Sequence, residues 1–506
     1  MSLLDLLRAW DAARARPIYR VGGVLLGLGL ATAVVLAPTP TGLSPEGQRA
    51  AALTVAMGLW WLGGVLPMAV TALVPLVAVP LLGLGGAKEA AAPYADPLNA
   101  LMLGGFLLAF AMEEVGLHRR VVTTLTAPDW VRASPRRVGL ALMVAAASLS
   151  CFVNNTATML MMLPIALGLA EGLRGDPALW RRARSAYTLG TAYACSIGGV
   201  GTLVGTAPNA VFAGLAPKLA GRDVSFADWL PLGLSFVALA LPLAWIVVTR
   251  LVYALPDTGE APRRAAEPWT RGQGVVAAAG ALCLALWVTR GPVNAGVVAW
   301  SGWGAAMPGK VDDGTVVIAI AALLFVLPRV DPTPRGPEAD DPLGDDAAEG
   351  RFLLSWRRAA RAVPWSVLLL MGGGFSLAAA IQGSGLSGWA AGGMSGLGAL
   401  PPAAQTLAIC LSVAFLSAFT SNTATTQIAL PLLGAGAAAA GVDPILWMAP
   451  ATISASCDFA LAVGTPPNAI AAESGEVSPA DMAFAGVILN VACAFVASFV
   501  VLVVGV

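Results

Sequence analysis

The sequence predicts an all-α polytopic membrane protein: about 11 transmembrane helices plus two re-entrant hairpins in an inverted-topology repeat, with two broken helices. Three observations predict it. Charge is sparse, at 11% of residues against 57% hydrophobic, where an ordinary globular chain carries about 25% charge. Residues 50–87, 138–170 and 185–217 hold no Asp, Glu, Lys or Arg, and the run 362–442 is 81 residues without one; a bilayer is crossed by roughly 20. The period-2 alternation of an outer-membrane barrel is absent, so the spans are helices. Finally, three landmarks, two of them polar, occur twice in the same order.

The elements follow in chain order. Residues 1–49 comprise a cytoplasmic arm and the first span, near 21–37. The arm carries Asp5, Arg8, Asp11, Arg14, Arg16 and Arg20, too many charges for a cleavable signal. The first repeat, 50–255, has spans near 50–66, 68–84, 97–114, 186–214 and 228–250. A cytoplasmic linker covers 256–271. The second repeat, 272–506, has spans near 272–289, 314–328, 363–381, 444–472 and 482–505, and a Pro/Asp/Glu-rich cytoplasmic linker at 330–362. The apolar pieces 137–171 and 403–437 are left over and are read as hairpins that enter and leave on one side. Charge is the reason. With the N-terminus inside and the C-terminus outside, cytoplasmic segments receive 23 of the 29 Lys and Arg residues. Making 137–171 a full crossing would move the cluster Arg174, Arg181, Arg182 and Arg184 outside, against the positive-inside rule.

The repeat rests on three landmarks. Gly104-Gly105-Phe106 and Gly373-Gly374-Phe375 are read as turns, each followed ten residues after Phe by Gly-Leu (Gly116-Leu117 and Gly385-Leu386). Ser150, with Asn154-Asn155-Thr156-Ala157-Thr158, returns as Ser417 with Ser421-Asn422-Thr423-Ala424-Thr425. Gly205-Thr206-Ala207-Pro208-Asn209 returns as Gly464-Thr465-Pro466-Pro467-Asn468. Each half holds an odd number of spans, which inverts the second copy relative to the first. Two such halves can open one common site alternately to each side.

The polar motifs sit in apolar surroundings, where amides and hydroxyls are costly without partners. Gly-Thr-x-Pro-Asn also breaks a helix: Pro has no N–H and clashes with the preceding turn, and Gly loosens the backbone. Unwinding frees carbonyls on one half-helix and N–H groups on the other. Carbonyls with Asn and Ser oxygens suit Na⁺; N–H groups at the positive dipole end suit a carboxylate. Two such places suit a substrate with two anionic ends. Neither motif contains Arg or Lys. A dianion held by neutral donors needs a co-bound cation to offset its charge, and coupling follows from that electrostatics. The six cysteines all fall in apolar segments and read as buried small hydrophobes.

These paired motifs resemble the divalent anion/sodium symporters, the sodium-coupled dicarboxylate carriers of the ion transporter superfamily. The resemblance covers roughly 50–505. Ser421-Asn422-Thr423 and Thr465-Pro466-Pro467-Asn468 match in full; the first half departs at Asn154, where Ser is usual, and at Ala207. The resemblance implies about two sodium sites, one from Ser150, Asn154, Asn155 and Gly205, the other from Ser417, Ser421, Asn422 and Gly464. It implies substrate contacts from Asn154, Asn155, Thr156, Thr206, Ser421, Asn422, Thr423, Thr465 and Pro466. It also implies a homodimer with an elevator motion, no organic cofactor and no nucleic-acid partner. Arginine outnumbers lysine 26 to 3, as GC-rich bacterial genes encode, so the expected location is a bacterial cytoplasmic membrane.

A single Asn-Thr in a membrane helix is ordinarily interhelical glue; two copies, each paired with a helix break, are what point to function. Asp458 lies within a span and is a functional candidate by default: it can assist a cation, relay a proton or cap a local hydrogen bond. Glu113, Glu114 and His118 read as interfacial, with His118 at the surface. The function expected is sodium-coupled symport of succinate-, malate- or fumarate-like dianions. Sulfate or citrate carriage, proton coupling and exchange are the rivals, and an ion channel stands further off. No His-Glu zinc motif, Gly-x-Ser-x-Gly elbow or aspartyl pair suggests an enzyme.

Overall fold

The structure, a computed structural model, describes residues 17–259, 268–295, 298–328 and 352–505. The expected arm before residue 17, half of the first linker (260–267) and the linker stretch 329–351 lie outside these. The described chain is helical almost throughout. Its small antiparallel ribbon pairs Val293–Ala295 with Val298–Trp300, Val293 opposite Trp300.

Among the described residues, seven helices are long and apolar enough to cross a membrane: Pro17–Leu36, Ala87–Glu114, Asn155–Leu173, Phe226–Val252, Arg271–Arg290, Trp365–Gly383 and Pro479–Val504. Local chemistry sets many of the boundaries. Ser44 caps Pro45–Gly63 by accepting from the Gly47 N–H, and Gly64 ends it in the left-handed region at φ 59°, where the absence of a Cβ removes the steric cost. Ser225 with Asp228 forms a capping box on Phe226–Ile246, and Ser478 caps Pro479–Val504. Apolar side chains such as Leu25, Leu26, Phe484, Phe495 and Phe499 stay exposed, as a lipid-facing surface requires.

Four predicted segments are shorter than a full crossing. The stretch 68–84 forms Met68–Ala72 and Val74–Leu81, with Pro75 opening the second piece and Pro80 inside it. Asp313–Leu324 is only 12 residues, about 18 Å at 1.5 Å per residue. Pro402–Ser417 and Pro444–Ala455 are likewise short apolar helices.

Two expectations are corrected. The Gly-Gly-Phe sequences are not turns; they lie inside Pro97–Glu114 and Trp365–Gly383. Their glycines are points of close approach: a Cβ on Gly104 would overlap Val317, and one on Gly374 would overlap the Gln427 side chain. The turns come at the Gly-Leu that follows, where Gly116 and Gly385 adopt φ 68° and 77°. His118 is buried, not at the surface. It lies on the inward stripe of the short helix Leu117–Thr126 with Val122 and Thr126, at i, i+4 and i+8.

Each half contains a helix pair and an interrupted helix. Pair one is Pro135–Ser150 and Asn155–Ala170; pair two is Pro402–Ser417 and Asn422–Ala439. The turns 151–154 and 418–421 are called here tip one and tip two. Pro177–Val200 restarts as Ala207–Ala220 after break one, 201–206. Pro444–Ala455 restarts as Pro466–Glu473 after break two, 456–465. Both members of each pair pack on the helix that leads into the break of the same half, while the restart helices cross over. Ala207–Ala220 packs on Asn422–Ala439, and Pro466–Glu473 packs on Asn155–Ala170.

Candidate functional site

Each tip is held by a serine–asparagine bond spanning five residues. Ser150 donates to Asn155 Oδ1 at 2.7 Å, and Ser417 donates to Asn422 Oδ1 at 3.3 Å and to the Ala455 carbonyl at 2.8 Å. Ser150 and Ser417 are fully buried. With the carboxamide oxygens thus occupied, the Asn155 and Asn422 amide N–H₂ groups remain available to an oxygen ligand. Asn154 caps the second helix of its pair, accepting from the Ala157 N–H at 2.8 Å. Ser421 occupies the same place in tip two without a side-chain cap bond, so its hydroxyl is uncommitted. Asn154–Thr156 and Ser421–Thr423 are half-buried, presenting polar groups beside a buried support.

The breaks are closed by their last motif residue. Asn209 Nδ2 donates to the carbonyls of Gly199, Val200 and Thr202 at 3.1, 3.2 and 2.7 Å. Asn468 Nδ2 donates to those of Asp458 and Leu461 at 2.8 and 3.1 Å. In both breaks the asparagine reaches back ten and seven residues. Neither asparagine was among the sequence-predicted site residues. The signal was present, since each is the final letter of the repeated motif. Trp229 Nε1 also donates to the Val200 carbonyl, and Thr202 Oγ1 to that of Cys151.

Tip one meets break one closely. A Cβ on Gly205 would come within 2.5, 2.8 and 3.0 Å of the carbonyl oxygens of Gly199, Ser150 and Cys151. Three carbonyls thus converge at the predicted cation glycine, and only a residue without a side chain fits there. One on Gly199 would overlap Asn155 Oδ1. In the second half Gly464 lies against Asp458 and the Leu461 carbonyl, and tip two reaches the end of Pro444–Ala455 through Ser417.

Thr206 and Thr465 occupy the N-cap positions of the restart helices, Thr465 accepting from the Asn468 N–H at 3.3 Å. Thr206 makes no side-chain cap bond and is half-buried, Thr465 is buried and Pro466 is exposed. The N-termini beginning at Asn155, Ala207, Asn422 and Pro466 each present a positive dipole end, but Pro466 and Pro467 carry no N–H and the Asn468 N–H bonds Thr465, so the last contributes its dipole and not these donors. Asp458 is 1% exposed and neither carboxylate oxygen has a hydrogen-bond partner. The structure therefore joins Ser150, Asn155 and Gly205 in one cluster, joins Ser417 with Asn422 in another, and sets Gly464 against Asp458. Among the described residues, no hydrogen bond links Asn155 to Asn422. The halves are tied instead by Tyr193, whose hydroxyl contacts the carbonyls of Phe459 and Met482 at 3.0 Å each.

An ion-pair cluster borders the first half. Arg184 pairs with Glu171, at the end of pair one, and with Glu476, just beyond Pro466–Glu473. All six cysteines are buried and free.

Comparison with known proteins agrees with this chemistry. A family described as citrate transporter matches residues 58–452. A protein of Staphylococcus saprophyticus named sodium-dependent dicarboxylate transporter SdcS is 33% identical, over 93% of this chain and 89% of its own. One of the same name from Staphylococcus aureus is 33% identical over 95% and 90%. The crystal structure of the YdaH transporter from Alcanivorax borkumensis superimposes with a TM-score of 0.51 at 15% identity, covering 96% of this chain and 97% of that one, a likeness of fold.

Proposed function

The chain belongs to the citrate transporter family, and from that premise we propose that it is a secondary transporter that carries C4-dicarboxylates with sodium across the cytoplasmic membrane. One observation carries the reading. Two tip-and-break constructions, each made of neutral donors and acceptors, repeat the same serine–asparagine bond and the same asparagine clamp. Neutral donors hold a dianion only when cations accompany it, which makes sodium a co-substrate. The names of the relatives support the same substrate and ion.

In this reading Ser150, Asn154, Asn155 and Gly205 hold one sodium, and Ser417, Ser421, Asn422 and Gly464 another. Backbone carbonyls, serine hydroxyl oxygens and the second lone pairs of the amide oxygens supply the ligands. Asn154, Asn155, Thr156, Thr206, Ser421, Asn422, Thr423, Thr465 and Pro466 face the substrate. One carboxylate lies at each tip, met by amide N–H₂ groups, hydroxyls and helix N-termini. The pairs are re-entrant hairpins, the halves are inverted repeats, and the N-terminus is cytoplasmic. The crossed packing of the restart helices supports the tips and breaks moving as one body, in an elevator motion within a homodimer.

The test is uptake of labelled succinate into proteoliposomes with and without a sodium gradient, with citrate and sulfate as competitors. Saturable uptake that requires sodium is expected, and Asn155→Ala and Asn422→Ala are each expected to abolish it while staying monodisperse. Uptake indifferent to sodium, or near normal in both variants, would overturn the reading. The family's description favours citrate as the second reading; stronger competition by citrate than by succinate would select it.

A further inference from the structure

Arg184 joins three elements at one point. Its Nη1 donates to Glu171 Oε1 at 2.8 Å, its Nε donates to Glu476 Oε2 at 2.8 Å, and its Nη2 donates to Glu476 Oε1. All three nitrogens of the guanidinium fork are engaged, and the pair with Glu476 is bidentate. The Trp180 ring lies 4.9 Å from the guanidinium, Trp180 Nε1 donates to Glu171 Oε1 at 3.4 Å, and the Ser185 hydroxyl donates to the Glu476 carbonyl at 2.6 Å. The three charged side chains are 20–34% exposed. A solitary surface ion pair holds little, whereas a bidentate fork within a network, stacked on an aromatic ring, holds a geometry.

The place of the network gives it a task. Glu171 directly follows Asn155–Ala170, the helix whose opposite end carries Asn155 and Thr156. Glu476 lies just beyond Pro466–Glu473, past a left-handed turn at Gly475 (φ 73°), and the opposite end of that helix carries Thr465. Arg184 itself belongs to Pro177–Val200, which leads into break one. The fork thus ties together the far ends of two helices whose near ends hold proposed substrate contacts from different halves. Both helices are rigid elements, so fixing their far ends constrains the separation of their near ends.

The other half has a looser version of the same device. Ala207–Ala220 ends at Gly221 (φ 64°), and the next residue, Arg222, approaches Asp443. Asp443 stands shortly after Asn422–Ala439 and caps the helix that leads into break two. Here nitrogen and oxygen are 3.9 Å apart, and both side chains are more than half exposed. The repeat therefore places an ion pair at the far end of each restart helix, a shielded network at Arg184 and a long, exposed contact at Arg222.

We propose that Arg184 is a positioning residue: by fixing tip one against break two, it sets the distance between substrate contacts and so the length of dicarboxylate that the site accepts. This rests on the dicarboxylate reading above, in which those contacts meet a substrate with two anionic ends. Arg184 acts through the helices that carry Asn155 and Thr465. A fixed spacing favours one chain length over the next, and one methylene in a fixed pocket is worth about tenfold or more.

The test is competition against uptake of labelled succinate in proteoliposomes under a sodium gradient, by unlabelled succinate and by glutarate, its homologue longer by a methylene. The wild type is expected to prefer succinate by about tenfold or more, and Arg184→Gln and Glu476→Gln by less than about threefold. Arg184→Lys, which keeps the charge and loses the fork, is expected to fall between them, and Arg222→Gln to keep the parental ratio. A merely structural role would lower the amount of active protein without moving the ratio. Parental ratios in both Gln variants, an equal loss in Arg222→Gln, or a wild type indifferent to chain length each overturn the proposal. If Arg184→Gln does not fold, Glu476→Gln decides, since it leaves the pair of Arg184 with Glu171 in place. A wild type that takes up no dicarboxylate would instead overturn the transport reading, and this inference with it.

Discussion

A carboxamide that closes an unwound segment does more than make two or three hydrogen bonds. Without it, the carbonyls it serves are left bare inside an apolar protein. Asn209 serves three carbonyls and Asn468 two. Loss of such a buried partner costs about 1–3 kcal/mol. Asn209→Ala and Asn468→Ala are therefore both expected to lower the thermal unfolding midpoint in detergent, Asn209→Ala by more, and both to lose uptake. Unchanged midpoints would remove the clamp from the account. Gly199→Ala probes the adjoining contact. Its new methyl group would displace the Asn155 amide, so a weaker apparent sodium affinity is expected in uptake assays, with the parent's expression level; parental affinity would mean that Asn155 does not need its present place. At this scale the sequence was legible where a residue type has one use in lipid: Ser150, Asn155, Ser417 and Asn422 bracket the two tips. It was less legible where a residue acts on backbone, because nothing in a lone Asn says which carbonyls it will meet.

Helix breaks were the most legible elements, because Gly and Pro act locally. Helix restart at Ala207 and Pro466 follows from the motif itself. Span lengths were less legible, since hydropathy measures a segment's composition and not where its backbone turns; one predicted span divides at Leu73, just before the piece that Pro75 opens. The short helix Leu117–Thr126 shows another limit. Its Arg119 and Arg120 suggested an interface, but its 3.6-residue stripe turns His118 inward. Burial, and after it the charge of Arg119, pushes the imidazole down from 6.5 to about 4. The folded state thus binds fewer protons than the unfolded state between those values, and stability falls as pH drops through that window. Above pH 6.5 the histidine makes no difference. The thermal midpoint of the wild type is expected to fall more steeply between pH 6.5 and 4 than that of His118→Gln; parallel curves would show that His118 is not the titrating group.

At the scale of the whole molecule, composition declared a helical membrane protein, and the repeated landmarks declared two related halves. What neither could declare is that the halves interlock. Local sequence specifies a tip or a break, whereas crossed packing depends on which faces meet after folding. Ala207–Ala220 rests on Asn422–Ala439, Pro466–Glu473 rests on Asn155–Ala170, and Tyr193 finds its acceptors at Phe459 and Met482. The side chains at this junction are among the most buried in the chain: Tyr193, Phe212 and Phe459 have no measurable exposure. A half expressed alone would leave these surfaces and polar groups uncovered, and a buried hydroxyl without its partners costs about 1–3 kcal/mol before any apolar packing is counted. The hydrophilic linker at 256–271 offers a place to divide the gene between the repeats without cutting an apolar segment. Each half expressed separately is expected to aggregate on extraction, and co-expression of the two to restore a monodisperse complex and sodium-dependent uptake. Two halves that are each monodisperse, with their own cooperative thermal transitions, would show that the repeats fold independently. The proposal that the tips and breaks move together as one body would then have no basis.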